Sequence, residues 1–370
     1  MSTTIRSSAL PTALPDGPEL DYSRTVDRLL VHRDALGEVF LTDLRPIDAE
    51  SYAAAAQLPR SHAYYGDHLL RPSYHDPVLL LEACRQATLA GAHRFYEVAE
   101  DHKFILTHLR LHLVNPRLLQ VGSSPFSLAM RVRVTNRRVR DGRVTGLDYA
   151  LELYTEGGVL GTAEMGLRFK SPTDYLTLRL KNRGGLALPS SATHPETTAG
   201  TPVAPYLVGR AAPENVVLTN ASTSGTSSRA TLRIPVGHPS MFDHPQDHLP
   251  GMVIGEGARQ LALFTALDVC GMSTAKVFPT DVSVDFLRFG ELEDETLLTA
   301  RTGELVRFEP DDDGVYYTQG GVLELRAPDG ERGASGEHAL LEQVPVRVEA
   351  RQRDELLCTV DLTLTRVAAG

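Results

Sequence analysis

No run of eighteen apolar residues interrupts this 370-residue chain, so no hydrophobic membrane-spanning helix is expected. The first twenty residues lack the apolar segment of a secretory signal and read as a disordered leader, 1–20. Cysteine is scarce. Cys84, Cys270 and Cys358 stand too far apart for a disulfide framework or a metal-ligand spacing, and they fit a reducing cytoplasm. Positive charge is in deficit, with a formal net charge of −10, which argues against bulk nucleic-acid binding. The G-x-S-x-G nucleophile elbow is missing, which weakens a serine triad. The helical carboxylate Glu256 has no H-x-x-x-H or Cys partner beside it, so neither a metal nor a cofactor is expected.

What the chain does contain is itself, twice. VHRDALGEVFLTD (Val31 to Asp43) aligns with VGRAAPENVVLTN (Val208 to Asn220) at an offset of 177. HAYYGDH aligns with HPSMFDH at 176, and EACRQ with EGARQ at 174. A looser match pairs FILTHLRLH with VFPTDVSVD. Blocks recurring in one order mark an internal duplication. The halves are placed at 21–175 and 205–345. A Gly/Pro/Ser/Thr-rich linker, 176–204, separates them, and a C-terminal extension, 346–370, follows with the pattern of two further strands. Each half shows a β-rich lead, a His/Asp/Pro turn, one long apolar helix and then alternating strands. That order implies an α+β unit, an antiparallel sheet wrapped on a central helix.

Both helices carry charge where an apolar helix should not. Glu82 and Arg85 lie three apart, as do Glu256 and Arg259, so each pair shares a helix face. Such pairs on ordinary helices are solvated surface ion pairs. Here the flanks are VLLL and MVIG, and a buried polar side chain needs a partner. Gly255 and Gly257 bracket Glu256 and suggest a close approach to the helix backbone. His68 and His244 precede the helices at matching places. Pro250-Gly251 opens the second helix, where unpaired amides could stabilise an oxyanion; the first half has Asp76-Pro77 there and loses the glycine.

The motif H-x(n)-PG-x(4)-E-x(2)-(A/R)-Q resembles the hotdog acyl-carrier-protein dehydratases, which have no Arg beside the acid. The doubled E-x-x-R-Q, with VHRDALGEVFLTD and FDHPQDHLPGMVIGEGARQ, more closely resembles the A-factor biosynthesis hotdog family over about Val31 to Val322. That resemblance implies a tandem double hotdog, two long central helices each wrapped by an antiparallel sheet and joined as an intrachain pseudo-dimer. It implies a cytoplasmic acyltransferase moving a β-ketoacyl group from an acyl-carrier-protein thioester to the hydroxyl of dihydroxyacetone phosphate. The product would be a phosphorylated butenolide precursor of a γ-butyrolactone or furan signal. The partners implied are that carrier protein and that triose phosphate, with no nucleic acid and no membrane; a homodimer is compatible.

On this reading Glu256 is the general base, with Glu82 its counterpart. Arg259 and Arg85 grip the phosphate, and Gly251, with Gly255 and Gly257 beside the acid, shapes the binding surface. The histidine role of the dehydratases falls to His244 and His68. Glu256 and Arg259 are preferred as the working pair, facing His68 across the pseudo-dimer, with Glu82 facing His244. The competing readings are a hotdog thioesterase or dehydratase, and a non-catalytic acyl-binding sensor.

Overall fold

The computed structural model describes residues 12–196, 200–311, 313, 315–324 and 340–368. The first half contains β1 (Leu41–Pro46), β2 (Ser51–Leu58), α1 (Pro77–Tyr96), β3 (Lys103–Leu113), β4 (Phe126–Arg140), β5 (Arg143–Thr155) and β6 (Gly158–Lys170). Then comes α2 (Pro172–Asn182). The second half contains β7 (Leu218–Ser224), β8 (Ser227–Leu232), α3 (Gly251–Cys270), β9 (Phe278–Phe286), β10 (Leu297–Thr302), β11 (Val306–Phe308), β12 (Val315–Thr318), β13 (Gly321–Glu324), β14 (Leu340–Gln352) and β15 (Glu355–Ala368).

One continuous antiparallel sheet runs β1-β2-β4-β5-β6-β3-β9-β15-β14-β10-β8-β7. Its two halves are mirror sequences of equivalent strands, joined at β3 and β9. In that joint His112 faces Asp281, Arg110 faces Ser283 and His108 faces Asp285. The register is self-complementary about Arg110 and Ser283, as a two-fold interface requires. Helix α1 packs on β1, β2, β4, β5 and β6; α3 packs on β7, β8, β10, β14 and β15. This is the tandem double hotdog. Both helices are apolar nearly all round because the curled sheet surrounds them, and one hydrophobic core spans both halves.

Three boundaries differ from the sequence reading. First, β14 and β15 are not an appendage: they stand where β5 and β6 stand in the first half. The short β11 and the separate β12–β13 hairpin precede them, so the closing pair was displaced beyond the recognisable repeat. Residues Gly321–Glu324 supply β13 of that hairpin. Second, the linker begins as a helix: Ser171 caps α2, and Arg179 is fully buried against Glu291 (2.8 and 2.9 Å) and the Asp247 carbonyl (3.0 Å). Third, Leu14 and Leu20, assigned to a disordered leader, are buried against Ala53, Ala55 and Ala129; residues 1–11 lie outside the described residues. No helix among the described residues is long and apolar enough to cross a membrane.

Two helix glycines make opposite predictions. A Cβ on Gly91 would lie 2.1 Å from the Tyr52 hydroxyl, whose ring is buried and bonded to the Ala87 carbonyl. A Cβ on Gly255 would meet nothing within 4 Å. Thermal or urea unfolding should therefore show Gly91→Ala losing about 1–3 kcal/mol by overpacking, while Gly255→Ala gains up to about 1 kcal/mol of helix propensity. Equal effects would contradict the packing around Tyr52.

Candidate active site

Each half builds the same buried charge node. Glu82 is fully buried on α1. Arg33, reaching in from the loop before β1, places Nη2 2.7 Å from its Oε1. Arg85 adds Nε to Oε2 at 2.8 Å and Nη2 to Oε1 at 2.9 Å. Gln86 donates to Oε1 at 2.9 Å and to the Glu38 carbonyl at 2.7 Å, while its own Oε1 accepts from the Phe40 amide at 2.8 Å. In the second half Arg210 donates to Glu256 Oε1 at 3.1 and 2.8 Å, and Gln260 donates to the same oxygen at 2.6 Å. Gln260 also ties the Asn215 carbonyl and the Val217 amide. Arg259 Nη2 lies 2.6 Å from Glu256 Oε2, within ion-pair range but off a hydrogen-bond axis. Thus E-x-x-R-Q is half of a motif whose other half is the Arg of the aligned V-x-R blocks.

The node decides what the glutamates can do. Burial opposes the ionised form of Glu82, but Arg33 and Arg85 outweigh it and hold its pKa at about 2. A carboxylate gripped by two guanidiniums and an amide is a poor proton acceptor, so the base role expected of Glu82 is not favoured by this geometry; Glu256 is buried and does not line the cleft described below. Both glutamates act here as anchors that aim arginines.

The second repeated motif crosses between halves. Asp67 accepts from the Ala211 and Ala212 amides (both 3.1 Å) and from Asn215 (2.7 Å). Asp243 accepts from the amides of Asp34 (2.7 Å) and Ala35 (2.9 Å). His62 and His238 each use Nδ1 to accept two backbone amides of their own turns. Most of the repeated H-x(4)-D-H motif is therefore scaffold.

The symmetry breaks at the helix starts. Asp76 is the N-cap of α1 and accepts from the Val78 amide at 2.8 Å through Oδ1. Its Oδ2 lies 2.7 Å from Arg259 Nη1. Burial opposes its charge, but Arg259, Arg210 and the Val78 amide lower its pKa. The equivalent N-cap of α3 is Pro250, with no side-chain cap, and the Gly251 and Met252 amides find no acceptor among the described residues. Arg85 accordingly has no counterpart of Asp76.

The cavity follows that break. A cleft of about 1950 Å³ is lined by Arg85, His32, His244, Gly251 and Met252, among others. It excludes Glu256, Arg259 and His68. The preferred pair Glu256–Arg259 is thus buried and does not line the cleft, whereas Arg85 does. Gly251 does lie in the cleft, where a Cβ would come 2.8 Å from the Phe286 ring. Gly257 is close-packed on Leu232 and Leu298, while a Cβ on Gly255 would meet nothing within 4 Å, and neither lines the cleft; the close approach inferred from both glycines applies to one, and to core leucines. His244 reaches the cleft, with Nδ1 3.3 Å from Asp243 and Nε2 2.5 Å from Gln246 Nε2. His68 donates Nε2–H to the Tyr74 carbonyl at 2.6 Å, and burial, partly offset by Asp76, lowers its pKa. Neither histidine hydrogen-bonds a glutamate. Sequence reading missed Arg33, Arg210, Asp76 as an anion, and His32. Of these, only the two arginines carried a signal, through their recurrence in register.

A family model described as AfsA, A-factor biosynthesis hotdog domain, matches residues 18–171 and 191–316. A Streptomyces virginiae protein named 2-oxo-3-(phosphooxy)propyl 3-oxoalkanoate synthase is 35% identical over 269 residues, 73% of this chain and 84% of that protein. A Streptomyces griseus protein of the same name is 29% identical, covering 71% and 80%. Among solved structures, a putative oleoyl thioesterase from Lactobacillus plantarum is similar at 10% identity and a TM-score of 0.45, covering 87% and 98%.

The Glu82 node gives a pH prediction. A carboxyl whose pKa falls from 4.5 unfolded to about 2 folded contributes stability that is complete above pH 4.5 and is lost as pH drops toward 2. Unfolding free energy should fall through that window in the wild type. Glu82→Gln should flatten the fall and, by stranding buried Arg33, cost about 3–5 kcal/mol at neutral pH. An unchanged acid slope would show that Glu82 is not ionised in the folded protein.

Proposed function

This chain belongs to the A-factor biosynthesis hotdog family, and on that premise we propose that it is an acyltransferase joining a β-ketoacyl group to dihydroxyacetone phosphate. The relatives' name describes the ester such a transfer would give: a 3-oxoalkanoyl group on the carbon chain that carries the phosphate. The donor is a thioester on an acyl carrier protein. The new ester then closes by intramolecular aldol condensation with loss of water, giving the phosphorylated butenolide.

The observation that carries this reading is the fate of Asp76. In the second node its carboxylate fills the space between Arg259 and the first free amides of α1. By the internal two-fold, the same space in the first node lies between Arg85 and the Gly251 and Met252 amides, and it opens on the cleft. A helix N-terminus and an arginine form an anion site. One half therefore carries a built-in anion, and its twin supplies a place for the phosphate of the acceptor. The active site is the Arg85 half, completed by α3 from the second half, and Glu82 with Arg33 holds Arg85 in place. Apolar cleft residues such as Val253, Ile254 and Leu89 line a path for the acyl chain. Arg259, Glu256 and Asp76 serve as the structural counterpart.

Mass spectrometry of a β-ketoacyl thioester incubated with dihydroxyacetone phosphate should find the ester or its dehydrated butenolide. Thioester consumption that is equally fast without the triose would instead make the protein a thioesterase. Arg85→Lys, which loses the bidentate fork, should raise the acceptor KM at least tenfold with little change in melting temperature. Arg259→Lys should do the reverse, and exchanged phenotypes would move the site to the second half.

A further inference from the structure

Glu82 is locked to arginines, and Asp243, which lines the cleft, is engaged by the Asp34 and Ala35 amides. His244 is also occupied: Nδ1 faces the Asp243 carboxylate and Nε2 accepts from Gln246. His32 is different. It lines the cleft, in a left-handed conformation at φ 53, where the second half has Gly209 at φ 73. Left-handed backbone suits glycine, yet at this position the first half holds an imidazole.

The hydrogen bonds fix its tautomer. His93 Nδ1 lies 2.7 Å from the Val98 carbonyl, which can only accept, so that nitrogen bears the proton. The other ring nitrogen, Nε2, is then the acceptor, and it lies 2.9 Å from His32 Nε2. His32 must therefore donate from Nε2, leaving its lone pair on Nδ1. That atom has no hydrogen-bond partner among the described residues. Phe104 packs against both rings, at 4.7 and 4.9 Å between centroids, and holds their orientation.

We propose that His32 Nδ1 accepts the proton of the attacking hydroxyl, with His93 as the positioning residue that fixes the tautomer. The idea rests on the transfer reading above. The hydroxyl oxygen bonds to the thioester carbonyl carbon and its proton moves to Nδ1. The C–S bond breaks, and the departing sulfur takes that proton, returning His32 to its starting form. Burial, with His93 and Arg85 of α1, His244 before α3 and Lys103 of β3, holds the pKa of His32 at about 3. The ring is thus unprotonated before substrate binds, and the phosphate dianion of the acceptor on Arg85 offsets that field and raises the basicity of Nδ1 in the complex.

The test replaces His32 by glycine, the residue its twin position already tolerates. Melting temperature should hold or rise, because a left-handed side chain is removed. Turnover should fall by about 10²–10⁴-fold, the usual contribution of a general base, with acceptor KM nearly unchanged. Added imidazole should restore part of the lost turnover to His32→Gly and none to Arg85→Lys. A His32→Gly enzyme with more than a tenth of wild-type turnover, or one that imidazole does not rescue, overturns the proposal. Nitrogen-15 NMR of the wild type gives a readout without substrate: His32 should be the Nε2–H tautomer at neutral pH, becoming mixed in His93→Phe. A proton on Nδ1 also overturns it. Wild-type enzyme inactive with both substrates would sink the transfer reading itself, whereas an active wild type with a normal His32→Gly would sink the role of His32 alone.

Discussion

A buried glutamate held by an arginine from another segment is the constraint on which this molecule turns. An unpaired charge in such an interior would cost several kcal/mol, so neither partner can move without the other. Arg33 pins the loop before β1 onto α1, and Arg210 pins its twin onto α3. Arg210 reaches further, donating to the Tyr64 and Asp67 carbonyls of the first half at 2.7 and 2.8 Å. The node that orders each hotdog thus also fastens one to the other. The glutamine one turn along the helix completes it by pairing both backbone groups of the incoming loop.

Duplication within one chain frees the two nodes to diverge. A symmetric dimer would present two identical sites; here one residue pair, Asp76 and Pro250, separates them. Asp76 caps α1 and neutralises Arg259, so that side is complete without a ligand. Pro250 offers α3 no side-chain cap. The result is one structural node and one that still needs an anion, with the cleft on the unfinished side. The α2 clamp through Arg179 and Glu291 steadies the cleft wall built from the turn before α3 and the loop after β9.

The E-x-x-R-Q repeat and the apolar flanks of both helices made the paired hotdogs and their interior charges legible. The arginine partners were visible as recurring letters, but a contact across 49 positions, as between Arg33 and Glu82, depends on how the loop folds back. The geometry weighs against the base role expected of Glu82 for that reason: a second guanidinium that lowers its pKa comes from outside the helix. Asp76-Pro77 was read as a lost glycine, whereas its consequence is a gained carboxylate. Flanking glycines gave Glu256 more weight than Glu82, yet Gly257 answers to Leu232 and Leu298, and Gly255 to no neighbour. The strands β14 and β15 escaped the repeat because the segment containing β11, β12 and β13 separates them from β10.

The central claim is that the space between Arg85 and the start of α3 receives an anion because no side chain fills it. It is tested most directly by placing the twin's carboxylate there, as Pro250→Asp, and titrating dihydroxyacetone phosphate by calorimetry. The account predicts a folded protein, capped at α3 like its twin at α1, that no longer binds the triose phosphate. Binding as tight as that of the wild type would contradict it.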